Sequence, residues 1–254
     1  MKLTEYDSEK TAIINPEMFF NKLPDCPKTL VTCFAENLIS YGVSFYPSKV
    51  IGKWVYANGE FPLYELTYKD RKIGFIMSTV GAPSTVAQYE ELFAMGVENI
   101  LVFGTCGVLD KSISDCSVII PNKAVRDEGT SYHYLPESDE IKVNANLLEN
   151  MVSYMDSTGV EYTVGKTWTT DAIYRETRNK MMQRKNEGCI CVDMECSAVA
   201  AVAEFRNKQI AQFFYSADNL DSDTYDKRSI ANGAKVDVKQ KILNLALDMA
   251  INIF

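Results

Sequence analysis

Four short stretches carry residue types that could do chemistry. Asp193, Met194 and Glu195 set two carboxylates beside a methionine, just ahead of the small apolar run Ala198-Val199-Ala200-Ala201-Val202-Ala203. That run reads as a buried helix, and an unpaired carboxylate in a core is expensive. One reason for the acids is N-terminal capping, since acids are favoured in the first helical turn. The other is that Glu195 points into a pocket and accepts hydrogen bonds from a ligand's hydroxyls. Gly104-Thr105-Cys106-Gly107 follows the apolar run Ile100-Leu101-Val102-Phe103. Its glycines permit close backbone approach by a ligand, and the Thr105 hydroxyl and N–H suit an anion. Read plainly, it is a tight turn where a strand gives way to a loop. Ser216-Ala217-Asp218 follows Phe213-Phe214-Tyr215, so Asp218 stands at the mouth of an apolar strand. A carboxyl group there can have a raised pKa and donate a proton near neutral pH; a turn or cap aspartate is the plainer alternative. Gly81 ends a fourth apolar run.

These stretches need a frame to bring them together. Residues 28–34 read as a first strand leading into 35–39. Residues 53–56 and 63–68 are strand-like, with the turn signal Asn58-Gly59 between them. Residues 69–72 form a polar turn. A buried strand over 73–77 precedes a helix over about 84–95 that Gly96 stops. Further strands are expected over 100–103, over 118–120 before Pro121, over 162–168, over 189–192 and over 209–215. Residues 125–138 read as a loop, and helices are expected over 147–155, 175–183 and 236–253. Buried strands alternating with helices argue for one α/β domain, a mixed central β-sheet flanked by helices on both faces. The expected organisation is an N-terminal arm over residues 1–24 and a single domain over 25–254. Ligands of such sheets bind beyond the carboxyl ends of strands, where all four stretches fall.

Composition narrows the partners. The 254 residues carry a net charge of -8, which disfavours a nucleic-acid backbone. No apolar run approaches the ~18 residues needed to span a bilayer, and residues 1–7 lack the apolar core of a secretory leader. Seven cysteines without a C-x-x-C pair, and the single histidine His133, assemble no zinc set. Reduced cysteines in a cytoplasmic protein are the simplest reading. His133 reads as a structural or substrate-lining residue, since no Ser/His/Asp spacing supports a base.

Taken together, Gly104-Thr105-Cys106-Gly107, Val192-Asp193-Met194-Glu195 and Ser216-Ala217-Asp218 resemble the nucleoside phosphorylase-I family, which holds purine nucleoside phosphorylases, uridine phosphorylases and related nucleosidases. The order holds from about residue 28 to the end. Gly81-Ala82-Pro83, Arg126-Asp127-Glu128-Gly129-Thr130-Ser131 and Thr169-Thr170-Asp171-Ala172-Ile173-Tyr174 also fall where members carry site loops. The resemblance implies that Glu195 grips the ribose hydroxyls and Met194 packs on the sugar. It implies that Thr105 and Gly81 face phosphate, with Arg126 a candidate phosphate cation. It implies that Cys106, Gly107, Ile173 and Tyr174 line the base, and that Asp218, assisted by Arg228, protonates the purine. No metal or organic cofactor is implied; phosphate is a co-substrate, and homo-oligomers, dimers or hexamers, are the family's rule.

Two departures stand against the pattern. The Gly-Asp-Pro turn and arginine usual after the first strand are replaced by Thr32-Cys33-Phe34-Ala35-Glu36-Asn37-Leu38. The arginine usual two residues before Gly104 is Val102. Phosphate would then rely on backbone amides, Thr105 and Arg126 or Arg175. The implied function is a nucleoside phosphorylase that cleaves a purine nucleoside with inorganic phosphate to sugar 1-phosphate and free base. The alternatives are a nucleosidase using water, with Glu36 either its activating acid or simply a helix-start residue, and a nucleoside-binding protein that has lost catalysis.

Overall fold

The computed structural model describes residues 4–57, 59–230 and 234–254. Its elements run β1 (Thr29–Cys33), α1 (Glu36–Phe45), β2 (Ser48–Tyr56), β3 (Gly59–Tyr68), β4 (Arg71–Met77), α2 (Ala82–Met95), β5 (Asn99–Val108) and β6 (Val118–Asp127). They continue through β7 (Glu140–Lys142), α3 (Leu148–Thr158), β8 (Tyr162–Thr170), α4 (Arg178–Asn186), β9 (Cys189–Asp193), α5 (Cys196–Arg206), β10 (Gln209–Asn219) and α6 (Val236–Ile253).

The strands form one mixed sheet in the order β10-β6-β8-β9-β5-β1-β4-β3-β2, with β7 beside β6. Strand β10 also pairs with β5, so β5, β10, β6, β8 and β9 close into a ring. The remaining strands extend from it as an open wing. Central strands are covered on both faces, which is why they read as unbroken apolar runs. Neighbours along β1 divide between the faces. Val31 joins Phe75, Phe103, Phe213 and the α6 residues Leu243 and Leu247. Leu30 joins Ile76, Ile100 and Ile210 beneath Val86 and Tyr89 of α2 and Val199 and Val202 of α5. The small side chains of α5 let it lie close against the sheet and α2 together.

Local chemistry explains the punctuation. Lys69 and Asp70 have φ of 47° and 59° between the paired Tyr68 and Arg71, a two-residue hairpin turn with both central residues left-handed. Gly96 ends α2 in the left-handed region at φ 114°, its N–H returning to the Leu92 and Phe93 carbonyls. Asn58 of the expected Asn-Gly turn lies outside the described residues; β3 begins at Gly59.

Several boundaries differ from the sequence reading. Strand β5 does not turn at Gly104 but runs through all of Gly104-Thr105-Cys106-Gly107 to Val108. Strand β10 likewise carries Ser216, Ala217 and Asp218 rather than ending before them. The two strands pair with each other along this extension, and that pairing outweighs the local tendency of glycine and small residues to break a strand. Pro121 does not stop β6; a register shift between Pro121 and Lys123 accommodates it. The strand continues to Asp127, so the loop is shorter than expected. Helix α4 starts at Arg178, capped by the Thr177 side chain, and Ile173–Arg175 form a 3-10 turn instead.

Candidate active site

A cavity of about 510 Å³ opens where the carboxyl end of β5 meets β9, β10 and the start of α5. That volume is in the range of small-molecule sites. Strand β5 contributes Thr105, Cys106 and Gly107, and β10 contributes Asp218. The β9–α5 junction contributes Asp193, Met194 and Glu195. The loop after β1 brings Phe34, and the turn after β8 brings Ile173, Tyr174 and Glu176. Val80 stands at the entrance to α2, and Leu220, Tyr225 and Ile230 come from the segment after β10.

The two acids at the head of α5 do different work. Asp193 is 6% exposed and fully engaged. Its Oδ1 accepts from the hydroxyls of Thr167 at 3.0 Å and Thr169 at 2.9 Å. Its Oδ2 accepts from the backbone N–H groups of Glu195 at 2.8 Å and Cys196 at 2.6 Å. Burial pushes its pKa up to about 6 against the pull of those four donors. Asp193 thus satisfies the first N–H of the helix, that of Cys196, while the Thr169 hydroxyl takes the next, that of Ser197, and Glu195 is released from capping. The Glu195 carboxylate accepts from the Gly81 N–H at 2.6 Å. Burial, and then the neighbouring Asp193, push its pKa up to about 8.

Gly81 can make that contact because its φ of 95° is one that glycine adopts freely. The loop carrying it is pinned from below. Thr85 donates its hydroxyl to the Thr79 carbonyl, while Gln88 accepts from the Thr79 N–H and donates to the Met77 carbonyl.

Asp218 owes its place to a bulge. In the β10–β5 pairing Ser216 stands level with Cys106 and Asp218 with Gly107, so Ala217 is an extra residue on β10. Gly107 leaves the room: a Cβ there would come within 3.1 Å of Asp218 Oδ1 and 2.6 Å of Leu220. Gly104 does the same for Phe34, whose ring would meet a Cβ at 2.7 Å. Asp218 is 7% exposed, and burial raises its pKa. The Tyr225 hydroxyl donates to its Oδ2 at 3.0 Å.

Glu176 is the fourth carboxyl group on the cavity wall. No hydrogen bond or ion pair engages its side chain among the described residues. Burial, then Asp218 and Asp193, push its pKa up to about 7. None of the lining residues is a Lys, Arg or His. Among the described residues the wall therefore carries four carboxyl groups with raised pKa values and no cation.

Of the residues singled out in the sequence, Thr105, Cys106, Gly107, Ile173, Tyr174, Met194, Glu195 and Asp218 meet on this wall, and Gly81 touches it through Glu195. Others stand elsewhere. The Arg126 guanidinium is buried against the Ser131 and Ser138 hydroxyls and the Leu135 and Pro136 carbonyls. Arg228 donates to the Ile113 carbonyl at 2.8 Å and to Asp226 at 3.3 Å. Glu36 is exposed in the first turn of α1, accepting from Ser40 at 2.8 Å. His133 and Arg175 are exposed and off the cavity wall. The sequence reading missed Phe34, Glu176 and Tyr225. Phe34 lies in the stretch after the first strand where the sequence departs from the pattern it resembles. The other two reach the wall from a 3-10 turn and an irregular segment that no periodicity marks.

Among the described residues no group of three or more His, Cys, Asp or Glu is arranged to hold a metal ion, and no helix is long and apolar enough to cross a membrane.

Comparison with known proteins places this geometry. The chain is 30% identical over 156 residues to the uncharacterized protein R802 of Acanthamoeba polyphaga mimivirus, covering 61% of this chain and 60% of that one. It is 26% identical over 146 residues to a guanosine phosphorylase of Halorubrum lacusprofundi, covering 58% and 61%. It is 29% identical over 138 residues to a DeoD-type purine nucleoside phosphorylase of Shewanella oneidensis, covering 54% and 58%. The chain thus spans about three-fifths of the length of these relatives. Its fold matches a purine nucleoside phosphorylase from Toxoplasma gondii at a TM-score of 0.75 and 21% identity, covering 90% of this chain and 91% of that one. A uridine phosphorylase from Vibrio fischeri matches at 0.72 and 21%, covering 92% and 96%. A family model described as the phosphorylase superfamily matches residues 43–250. The strand ring, the cavity at its rim and this match together make the chain a member of the phosphorylase superfamily.

Proposed function

We propose that the chain cleaves the N-glycosidic bond of a purine nucleoside and passes the pentosyl group to inorganic phosphate, releasing sugar 1-phosphate and free base. The observation that carries this reading is the pairing, in one cavity, of a buried acid, Asp218, with a carboxyl group, Glu195, that has given up helix capping. Glu195 accepts hydrogen bonds from two sugar hydroxyls, and Met194 lies against the ring. This grip holds the anomeric carbon in line with the acceptor. As the bond breaks its electron pair moves to the base, and Asp218 delivers a proton to the base nitrogen, a contribution of roughly 10²–10⁴-fold. Glu176 stands beside Asp218 at the base end, its unpaired carboxyl group suited to a purine N–H or amino group.

A second reading, hydrolysis, is favoured by one observation: among the described residues the wall offers a phosphate dianion four carboxyl groups and no cation. Phosphate transfer then requires a cation from beyond this wall, such as a neighbouring copy in the homo-oligomer expected of the family. Assay of inosine, adenosine and guanosine with and without phosphate decides the acceptor. Base release that depends strictly on phosphate supports the first reading, and equal rates without phosphate support the second. Binding without turnover in either condition leaves a nucleoside-binding protein.

A further inference from the structure

We propose that Tyr225 is the positioning residue for proton donation by Asp218, holding one carboxylate oxygen so that the other faces the leaving base. The inference rests on the glycosidic-bond-cleaving reading of the site. Three geometric facts carry it. The Tyr225 hydroxyl donates to Asp218 Oδ2 at 3.0 Å, and among the described residues it is the only hydrogen-bond donor to that side chain. Oδ1 lies on the Gly107 side, within 3.1 Å of where a Cβ on that cavity-lining glycine would stand. Tyr225 itself is 63% exposed on the cavity rim, so a buried packing role does not account for it.

The segment that carries Tyr225 is fixed at its base. The Asn219 N–H donates to the Asp226 carbonyl at 2.9 Å, tying the end of β10 to the residue after Tyr225. Arg228 is held away from direct contact by the Ile113 carbonyl and Asp226, and acts on Asp218 only through its charge. The other titratable groups that face Asp218 are Asp226 from the same segment, Glu176 from the turn after β8 and Cys106 from β5.

Tyr225 favours donation for a simple reason. Before transfer Asp218 is a neutral acid carrying its proton on Oδ1. Afterwards the proton is on the base nitrogen, and Asp218 is a carboxylate whose Oδ2 accepts from the phenol. A hydrogen bond to the ionised acceptor is roughly twice as strong as one to the neutral acid. The phenol keeps its proton throughout.

The experiment compares wild type, Tyr225→Phe and Asp218→Asn on two substrates in the presence of phosphate. One is inosine, whose base needs a proton to leave. The other is 7-methylinosine, whose base is already cationic and leaves without one. The bond to the carboxylate exceeds the bond to the neutral acid by about half of 1.5–3 kcal/mol, which corresponds to about a 4- to 12-fold fall in kcat on inosine for Tyr225→Phe. The alkaline limb of the inosine pH profile should also move to higher pH, because the carboxylate has lost its stabilising donor. Turnover of 7-methylinosine by Tyr225→Phe should stay within about threefold of wild type, while Asp218→Asn marks the full loss of the proton donor on inosine. Equal losses on both substrates, or an unmoved pH limb, overturn the proposal in favour of a structural role. A wild-type chain that cleaves neither substrate removes the reading of the site, and the inference with it.

Discussion

At the scale of single residues, Glu195 carries opposed demands. Under the proposed function, gripping two sugar hydroxyls requires an ionised acceptor, yet burial and Asp193 push its pKa up to about 8. In the unfolded chain the same group titrates near 4.3, to within about a unit. Near pH 4 the folded state holds it neutral and at no cost. Between there and about pH 8 the folded chain retains a proton that the unfolded chain releases, so stability falls as pH rises. Glu195→Gln should therefore raise the melting midpoint at pH 8 by about 2–4 °C, leave it unchanged near pH 4, and weaken nucleoside binding. Calorimetry at the two pH values checks this; an equal shift at both would mean that charge is not the cause. Asp193, the residue beside the same strand end, carries no such conflict, because four donors hold it. The sequence marked both acids but could not assign these parts. The choice is made by Thr167 and Thr169, on a strand more than 20 residues away in sequence.

At the scale of elements, the site is built where two long strands run past the points at which their sequences suggest a stop. Glycine and small residues ordinarily punctuate a strand. Here they clear space: Gly104 for Phe34 and Gly107 for Asp218 and Leu220. Gly107→Ala should lower stability by about 1–3 kcal/mol through overpacking. It should also reduce kcat by ~10-fold, because Asp218 can no longer stand level with this position. Urea midpoints and kcat measured on the same preparation test the pair. A stability loss with kcat intact would make the glycine a packing residue only. Helices α2 and α6 were legible because their ends carry local signals or a sustained apolar stripe. Glu176, just past the 3-10 turn, and Tyr225, in the segment after β10, were not legible, since no periodicity marks either stretch.

At the scale of the molecule, the net charge of -8 combines with a cavity wall that carries no cation among the described residues. An anion approaching this wall meets repulsion, which salt screens over about 10 Å at 0.1 M. If phosphate is the acceptor and this wall alone receives it, its KM should fall by about two- to fivefold as ionic strength rises from about 0.02 to 0.2 M. A rising KM would instead point to an arginine or lysine supplied by a second copy. The alternation of buried strands and helices was readable from the chain, because strands covered on both faces have continuous apolar sequences. Ring closure was not readable, since it joins β5 to β9 and β10 across about a hundred residues by backbone pairing that leaves no side-chain signature.

That closure also bears on self-association. Every strand of the ring has both of its flanks occupied, so the half of the molecule that carries the cavity offers little template for a foreign strand. Exposure to such pairing is concentrated at the far margin, on β2. There Val50, Val55 and Tyr56 face solvent, while Lys49 and Lys53 stand as charged gatekeepers and a register shift at Val50–Gly52 breaks the regular outline. Loops around the cavity can thus change in length and sequence without creating a nucleus for aggregation.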